Sequence, residues 1–397
     1  QSGSSEEERH NRWRDLNRSR PMDCHPCMPC CRVSMAEMSF NYVMDKIMKK
    51  SIALFCLFAL CCFGVRAQKI EPQVKEEVEL MSSLARLAGY EEYNYDIGGR
   101  YTADIDSVLG EYRSHQAVEM MKQFKEKYGL GYDRVMSMAL QIECRGDSIV
   151  KLDTGKKRLS PVSEQDTPGF LAAINDFYRT SRFNDFFHAH ADVYALGLQV
   201  FNDSVMACFD KEWYTRFYGM PPVEQYRIVI GFANGPCNYG PSRKLAGRPK
   251  EVFAIMNYAV DETGRPIFYR KIAETVVHEL CHSFTKIKGD TEKALEKSGK
   301  TIQEYTRFSM KRQAYDTWKN ILEESLVRAA TICYLIDHEY DEKAVRGAIV
   351  EEIDLNFFWM PELVQTLRYY ESHRRKYPTF TSFWPEIVRF FDDYVAD

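Results

Sequence analysis

The stretch Val276-Val277-His278-Glu279-Leu280-Cys281-His282-Ser283-Phe284, "VVHELCHSF", decides how the rest of the chain is read. On a helix, residues i and i+4 share a face, so His278 and His282 can hold one metal ion together. Glu279 is turned by about 100° from His278 and can reach a water on the open side of that metal. Two imidazoles suit Zn2+, and a carboxylate so placed can take a proton from the water and pass it to a leaving amine. The spacing therefore names His278 and His282 as metal ligands and Glu279 as the catalytic base. The competing reading is two core histidines that happen to lie one turn apart. Val276, Val277, Leu280, Cys281 and Phe284 supply the apolar face that buries a metal-site helix, which favours the first reading.

Just upstream, "QYRIVIGFA" and "EVFAIMNYAV" are rich in β-branched and aromatic residues and predict strands. The second, Val252 to Val260, is expected to be an edge strand able to hold a peptide by backbone pairing. The Gly/Pro-rich "NGPCNYGPSRKLAGRP" between them reads as a loop, and Tyr239 within it is a candidate donor to an oxyanion. Downstream, "YDTWKNILEESLVRAATICYLID", "PELVQTLRYYESHRR" and "FWPEIVRFFDDYV" have helical spacing.

A third metal ligand is needed. Position 288 is Lys288, so the pattern with a third histidine six residues after the second is absent. Glu323 and Glu324 both flank the apolar stripe of "NILEESLVRAA", and helical phase does not separate them. A solvated helix face is the alternative for either. Arg328 lies one turn after Glu324, where it could orient that carboxylate or contact substrate. His338 is a weaker third candidate.

The chain from Gln68 to about residue 215 reads as mainly helical. "VKEEVELMSSLARLAGY" carries apolar residues at helical spacing and closes at Gly89, and "FLAAINDFYRTSRFNDFFHAHADVYALGLQVF" predicts two helices. His188 and His190 diverge on such a helix and are assigned to surface or packing. Residues 216–397 hold the HExxH stretch, and the two regions can form one continuous domain. The fold class is α+β: mainly helical, with a small sheet packed against the HExxH helix in a zincin-like manner.

Upstream, residues 44–67 of "MDKIMKKSIALFCLFALCCFGVRAQ" predict a signal peptide. Lys46, Lys49 and Lys50 precede an apolar run, and Val65-Arg66-Ala67 places small residues at a cleavage site. The run is shorter than the roughly 20 residues of a spanning helix, so no stable membrane span is expected after its removal. Residues 1–43 then read as an upstream extension from a mis-called start. Their Cys24, Cys27, Cys30 and Cys31 lack a second ligand pair at zinc-finger spacing. The remaining Cys144, Cys208, Cys237, Cys281 and Cys333 are odd in number and are expected to be mostly buried thiols. A formal net charge of −4 implies no basic surface, so no nucleic-acid partner is expected.

"VELMSSLARLAGYEEYN", "FYRTSRFNDFF", "NGPCNYGP", "VVHELCHSF" and "EESLVRA" resemble a family of exported bacterial proteins known only as a domain of unknown function, with an HExxH centre of the gluzincin type. The resemblance covers most of residues 70–397. It implies a third ligand from a downstream glutamate, Glu324, and Zn2+ as cofactor, and it carries no substrate. The resulting expectation is a zinc metallopeptidase of the periplasm or extracellular space acting on a peptide or protein. The alternatives are a zinc hydrolase of a non-peptide bond and an exported binding protein whose zinc is structural or lost. Mass spectrometry of the native secreted protein should find a chain beginning at Gln68. A mature chain that keeps Cys24 to Cys31 would contradict the signal reading.

Overall fold

The computed structural model describes residues 70–396 apart from Tyr269, Ala314 and the side chain of Arg270. The signal segment 44–67, the upstream extension 1–43 and its cysteine cluster lie outside the described residues. The described residues belong to one compact unit, Gln68–Asp397.

The first half is β1 (Pro72–Gln73), α1 (Glu76–Leu87), α2 (Arg100–Asp104), α3 (Gln116–Tyr128), α4 (Asp133–Ala139), the hairpin β2 (Ile142–Arg145) and β3 (Ser148–Lys151), then α5 (Thr167–Thr180), α6 (Phe183–Ala189), α7 (Ala191–Ser204) and α8 (Glu212–Tyr218). Next come β4 (Gln225–Gly231), β5 (Ser242–Lys244), β6 (Lys250–Asn257), and a small hairpin of β7 (Ala259–Val260) and β8 (Pro266–Ile267). The chain ends with α9 (Arg270–Cys281), α10 (Asp290–Arg312), α11 (Trp318–Asp337), α12 (Glu342–Asp354), α13 (Met360–Ser372) and α14 (Phe380–Tyr394). The fold is α+β, with many helices around a small sheet.

The main sheet has the order β1-β4-β6-β5, with β1, β4 and β6 parallel and β5 antiparallel to β6. β6 is thus an inner strand, so the expectation of an edge strand over Val252–Val260 is corrected. Its run Glu251–Met256 is buried throughout, as a strand covered on both faces must be. The edge lies instead in the stretch read as a loop. Tyr239 exchanges both backbone hydrogen bonds with Ile255, Phe253 donates to the Pro241 carbonyl, and Ser242–Lys244 pair with Lys250–Val252. Residues 239–244 therefore keep one continuous register against 255–250.

Alternation sorts the two faces of this sheet. Tyr226, on one face, donates its hydroxyl to the Leu280 carbonyl of α9 at 3.1 Å. On the opposite face Tyr239 stacks on Tyr93, with ring centroids 6.4 Å apart, and Arg243 donates to the Leu140 carbonyl. The two helices expected between Phe170 and Phe201 are three, broken at Arg182, which takes a left-handed φ of 52°, and at His190. His190 is buried and sits between the Phe186 carbonyl and Asp104, a packing role.

α11 is the hub of the C-terminal part, contacted by α9, α10, α12 and α13. It is buried nearly all round from Ile321 to Leu335, as a helix enclosed by others must be. α10 meets it through small residues. Gly299 lies so close to Trp318 that an added Cβ would come within 2.4 Å of the indole. Gly→Ala inside a helix ordinarily gains about 1 kcal/mol. Here Gly299→Ala should lose about 1–3 kcal/mol through overpacking, read as a lower urea midpoint at unchanged slope.

Candidate metal centre

α9 is built to present one polar stripe. Ile272, Ala273, Val276, Val277, Leu280 and Cys281 are buried. Lys271, Glu274, Thr275, His278 and Glu279 recur at the i+3 and i+4 spacing of the other side and line a cavity. The helix ends at Cys281, and His282 sits in the turn that follows, where Phe284 donates back to the Cys281 carbonyl. Tyr214 of α8 donates its hydroxyl to the Val277 carbonyl at 3.2 Å, so two buried tyrosines, Tyr214 and Tyr226, hold the end of this helix.

α11 brings Glu324 to the two imidazoles. Glu324 Oε1 lies 3.3 Å from His278 Nε2, and Glu324 Oε2 lies 3.6 Å from His282 Nε2. One donor atom from each of the three falls within 4.8 Å of the other two. Ligand bonds of about 2.0–2.1 Å in a tetrahedron put the donors about 3.3–3.4 Å apart. The two imidazole-to-carboxylate separations, each to a different oxygen of Glu324, are close to that edge length, so the three side chains could share a small divalent ion.

The protonation states suit metal ligation as well. Burial lowers His278 below the ordinary imidazole range, and burial together with His278 pushes His282 down to about 3. Burial opposes ionisation of Glu324, but the imidazoles and Arg328 outweigh it and hold the carboxyl down at about 2. The trio is thus two neutral nitrogen donors and one carboxylate at neutral pH.

Arg328 is anchored rather than free. Its Nε donates to Glu324 Oε1 at 2.8 Å, Nη1 to Glu352 Oε2 at 2.5 Å and Nη2 to the Tyr315 hydroxyl at 3.2 Å. The guanidinium also lies over the Phe357 ring. It borders the cavity beside His278, but its donors are spent on orienting Glu324. Tyr315 and Glu352 were not legible in the sequence, because they come from a loop and a separate helix with no spacing relation to Glu324.

Glu323 points elsewhere. It is 8% exposed, accepts the Ile287 amide at 2.8 Å and pairs with Lys286 at 2.8 Å. It pins the loop that leaves α9, so the solvated-face alternative is corrected for both glutamates. His338 closes the far end of α11, bonded to the Tyr334 carbonyl and Asp210 and stacked on Tyr334, outside the cluster. Tyr239 lies on the face of the sheet away from α9. Its neighbour Gly240 occupies the near face, and a Cβ there would fall 1.8 Å from Glu279 Oε2. The only side chain that position can accept beside the Glu279 carboxylate is a hydrogen.

Glu279 stands between two cavities. One, of about 320 Å³, runs between α9, α11 and α12. The other, also about 320 Å³, runs along Gly240, Ser242 and Lys250 to His282. Burial, and then the Glu324 charge, push the Glu279 carboxyl up to about 8.

The fold and site thus describe an α+β chain whose buried helix pair converges two histidines and a glutamate. Residues 70–390 match the domain of unknown function DUF4932, and the chain belongs to that family. Neither a curated protein nor a solved structure matches it. Among the described residues, no helix is long and apolar enough to cross a membrane. The five cysteines of the described residues are all free thiols, with Cys281 and Cys333 buried.

The two adjacent glutamates should separate cleanly. Glu324→Ala should abolish tight binding of Zn2+ in competition with a chelator. Glu323→Ala should retain the ion and lose about 1–3 kcal/mol of stability, because the buried Ile287 amide is left without a partner. Release of zinc by Glu323→Ala alone would place the third ligand one residue earlier.

Proposed function

We propose that this chain is a gluzincin-like zinc metallopeptidase that hydrolyses peptide bonds outside the cytoplasm. The observation that carries the reading is the convergence of donor atoms of His278, His282 and Glu324 within 4.8 Å of one another, beside a carboxylate, Glu279, that is not among the three donors. The charge balance supports it. Glu324 and Glu352 share the single Arg328 guanidinium, which leaves an excess negative charge that a divalent cation would offset.

His278, His282 and Glu324 would hold the zinc, whose chemistry there is to acidify a water and polarise a carbonyl. Glu279 accepts the proton of the attacking water and returns it to the leaving amine. Glu279, whose carboxyl burial and the Glu324 charge raise, would be brought back toward the ionised form a base needs once a cation is held by the three donors. Gly240 leaves room for this carboxylate. By alternation with Tyr239, its amide and carbonyl face the free edge of β5, where an extended peptide can pair. The open side of the donor set, with two cavities flanking Glu279, favours a catalytic over a closed structural site. The placement outside the cytoplasm rests on the signal-like residues 44–67.

Glu279→Gln should keep stoichiometric zinc and lose about 10²- to 10⁴-fold in turnover of a peptide library. Parent-like hydrolysis by that variant would remove the peptidase assignment. Gly240→Ala should also keep zinc yet lose activity, since its methyl must displace the Glu279 carboxylate.

A further inference from the structure

The second cavity carries a charge asymmetry that neither the metal centre nor the fold requires. Along the β5–β6 ladder, Arg243 faces Glu251 and Lys244 faces Lys250. On the first face the charges are matched: Glu251 takes Arg243 at 2.7 Å and Arg227 at 3.1 Å. On the other face, the one that Gly240 and Ser242 share, two lysines stand directly opposite each other. Neither has a carboxylate within 4 Å among the described residues. Like charges directly opposite on a ladder are destabilising. An edge lysine such as Lys244 can be explained as a guard against edge-to-edge pairing. Lys250 is the first residue of β6, one position before β4 begins to pair, and its other side is already covered by β5, so it guards no free edge there.

Lys250 instead lines the same cavity as Glu279 and His282. Lys286 also lines it but is committed to Glu323, and Asp133 is the one other acidic residue on its wall. The cavity on the opposite side of Glu279 differs. There Lys271 is paired with Glu351, and Arg328 with Glu324 and Glu352. The cation without an ion-pair partner beside Glu279 is therefore Lys250 of β6, next to the edge strand along which an extended substrate would run, with Asp133 on the same wall.

We infer that Lys250, with Lys244 beside it, receives a carboxylate of the substrate, so that the chain selects acidic peptides. This deepens the peptidase reading and rests on it. The carboxylate can come from an Asp or Glu side chain or from a free C-terminus, and Lys250 is the specificity-determining residue in either case.

The test uses zinc-loaded Glu279→Gln protein, so that binding is read without hydrolysis. The probes are fluorescein-labelled, C-terminally amidated heptapeptides carrying Glu, Gln or Lys at each position in turn, and a matching free-acid set. Anisotropy should show at least one Glu or free-acid peptide binding about 10-fold tighter than its Gln or amide counterpart, as one charge-assisted hydrogen bond allows. A Glu-set preference names the side chain, and a free-acid preference names the C-terminus. Adding Lys250→Glu should reverse the order, so that the Lys peptide binds better than the Glu peptide, and Lys250→Arg should keep the original order. Equal binding of charged and neutral peptides, or an acidic preference that survives Lys250→Glu, would overturn the inference. Hydrolysis of the same library by the parent chain reports separately on the peptidase reading. Cleavage without an acidic preference removes only the carboxylate site, and acidic binding without cleavage removes only the peptidase.

Discussion

A carboxylate that is 5% exposed and yet ionised is the constraint around which the C-terminal half is arranged. An uncompensated charge at such depth is costly, and Glu324 is held by three groups from different parts of the chain. His278 and His282 come from α9 and the turn after it. Arg328, one turn along α11, is in turn steadied by Glu352 of α12 and by Tyr315. Removing Arg328 leaves the buried carboxylate without its cationic partner, so α11 and α12 are tied to one another electrostatically as well as by packing.

The first half of the chain serves this arrangement at a distance. Tyr214 and Tyr226 reach the Val277 and Leu280 carbonyls from α8 and β4, one just before His278 and the other between the two histidines. Tyr214 and Tyr218 also stack on Phe284, at interplanar angles of 14° and 3°. The end of α9 is thus fixed by hydroxyls and rings that belong to the preceding helix and the sheet. Donor atoms must be held within a fraction of an ångström to share one ion, and rigid supports of this kind do that better than a loop can.

How much of this was legible in the sequence depended on whether the deciding contacts are local. The HExxH spacing is local, and in the structure His278 and His282 meet at Glu324 while Glu279 stands between the two cavities. Glu323 and Glu324 could not be told apart, because α11 is buried on nearly every side and has no solvent face to set its phase. Only the positions of Ile287 and the imidazoles distinguish them. In α10, Ser298, Gly299 and Thr306 form half of the buried face beside Leu295, Ile302 and Met310, so apolar residues alone do not mark that face. β5 was hidden in a loop-like composition, since Gly240 and Pro241 interrupt a pairing register that is nonetheless continuous. The one-residue choice between Tyr239 and Gly240 follows from strand alternation, which cannot be applied until the stretch is known to be a strand.

Cys281 separates Glu279 from His282, yet it takes no part in the donor set. Its side chain is on the apolar side of α9, fully buried, and burial pushes the thiol up to about 12. It therefore stays protonated and cannot compete with the imidazoles as a soft ligand. Nitrogen and oxygen donors also have no sulfur to lose to peroxide or to disulfide exchange. A donor set of this kind would keep its metal-binding atoms through changes in redox potential, and Cys281 is itself shielded from reagents by the helix that carries it.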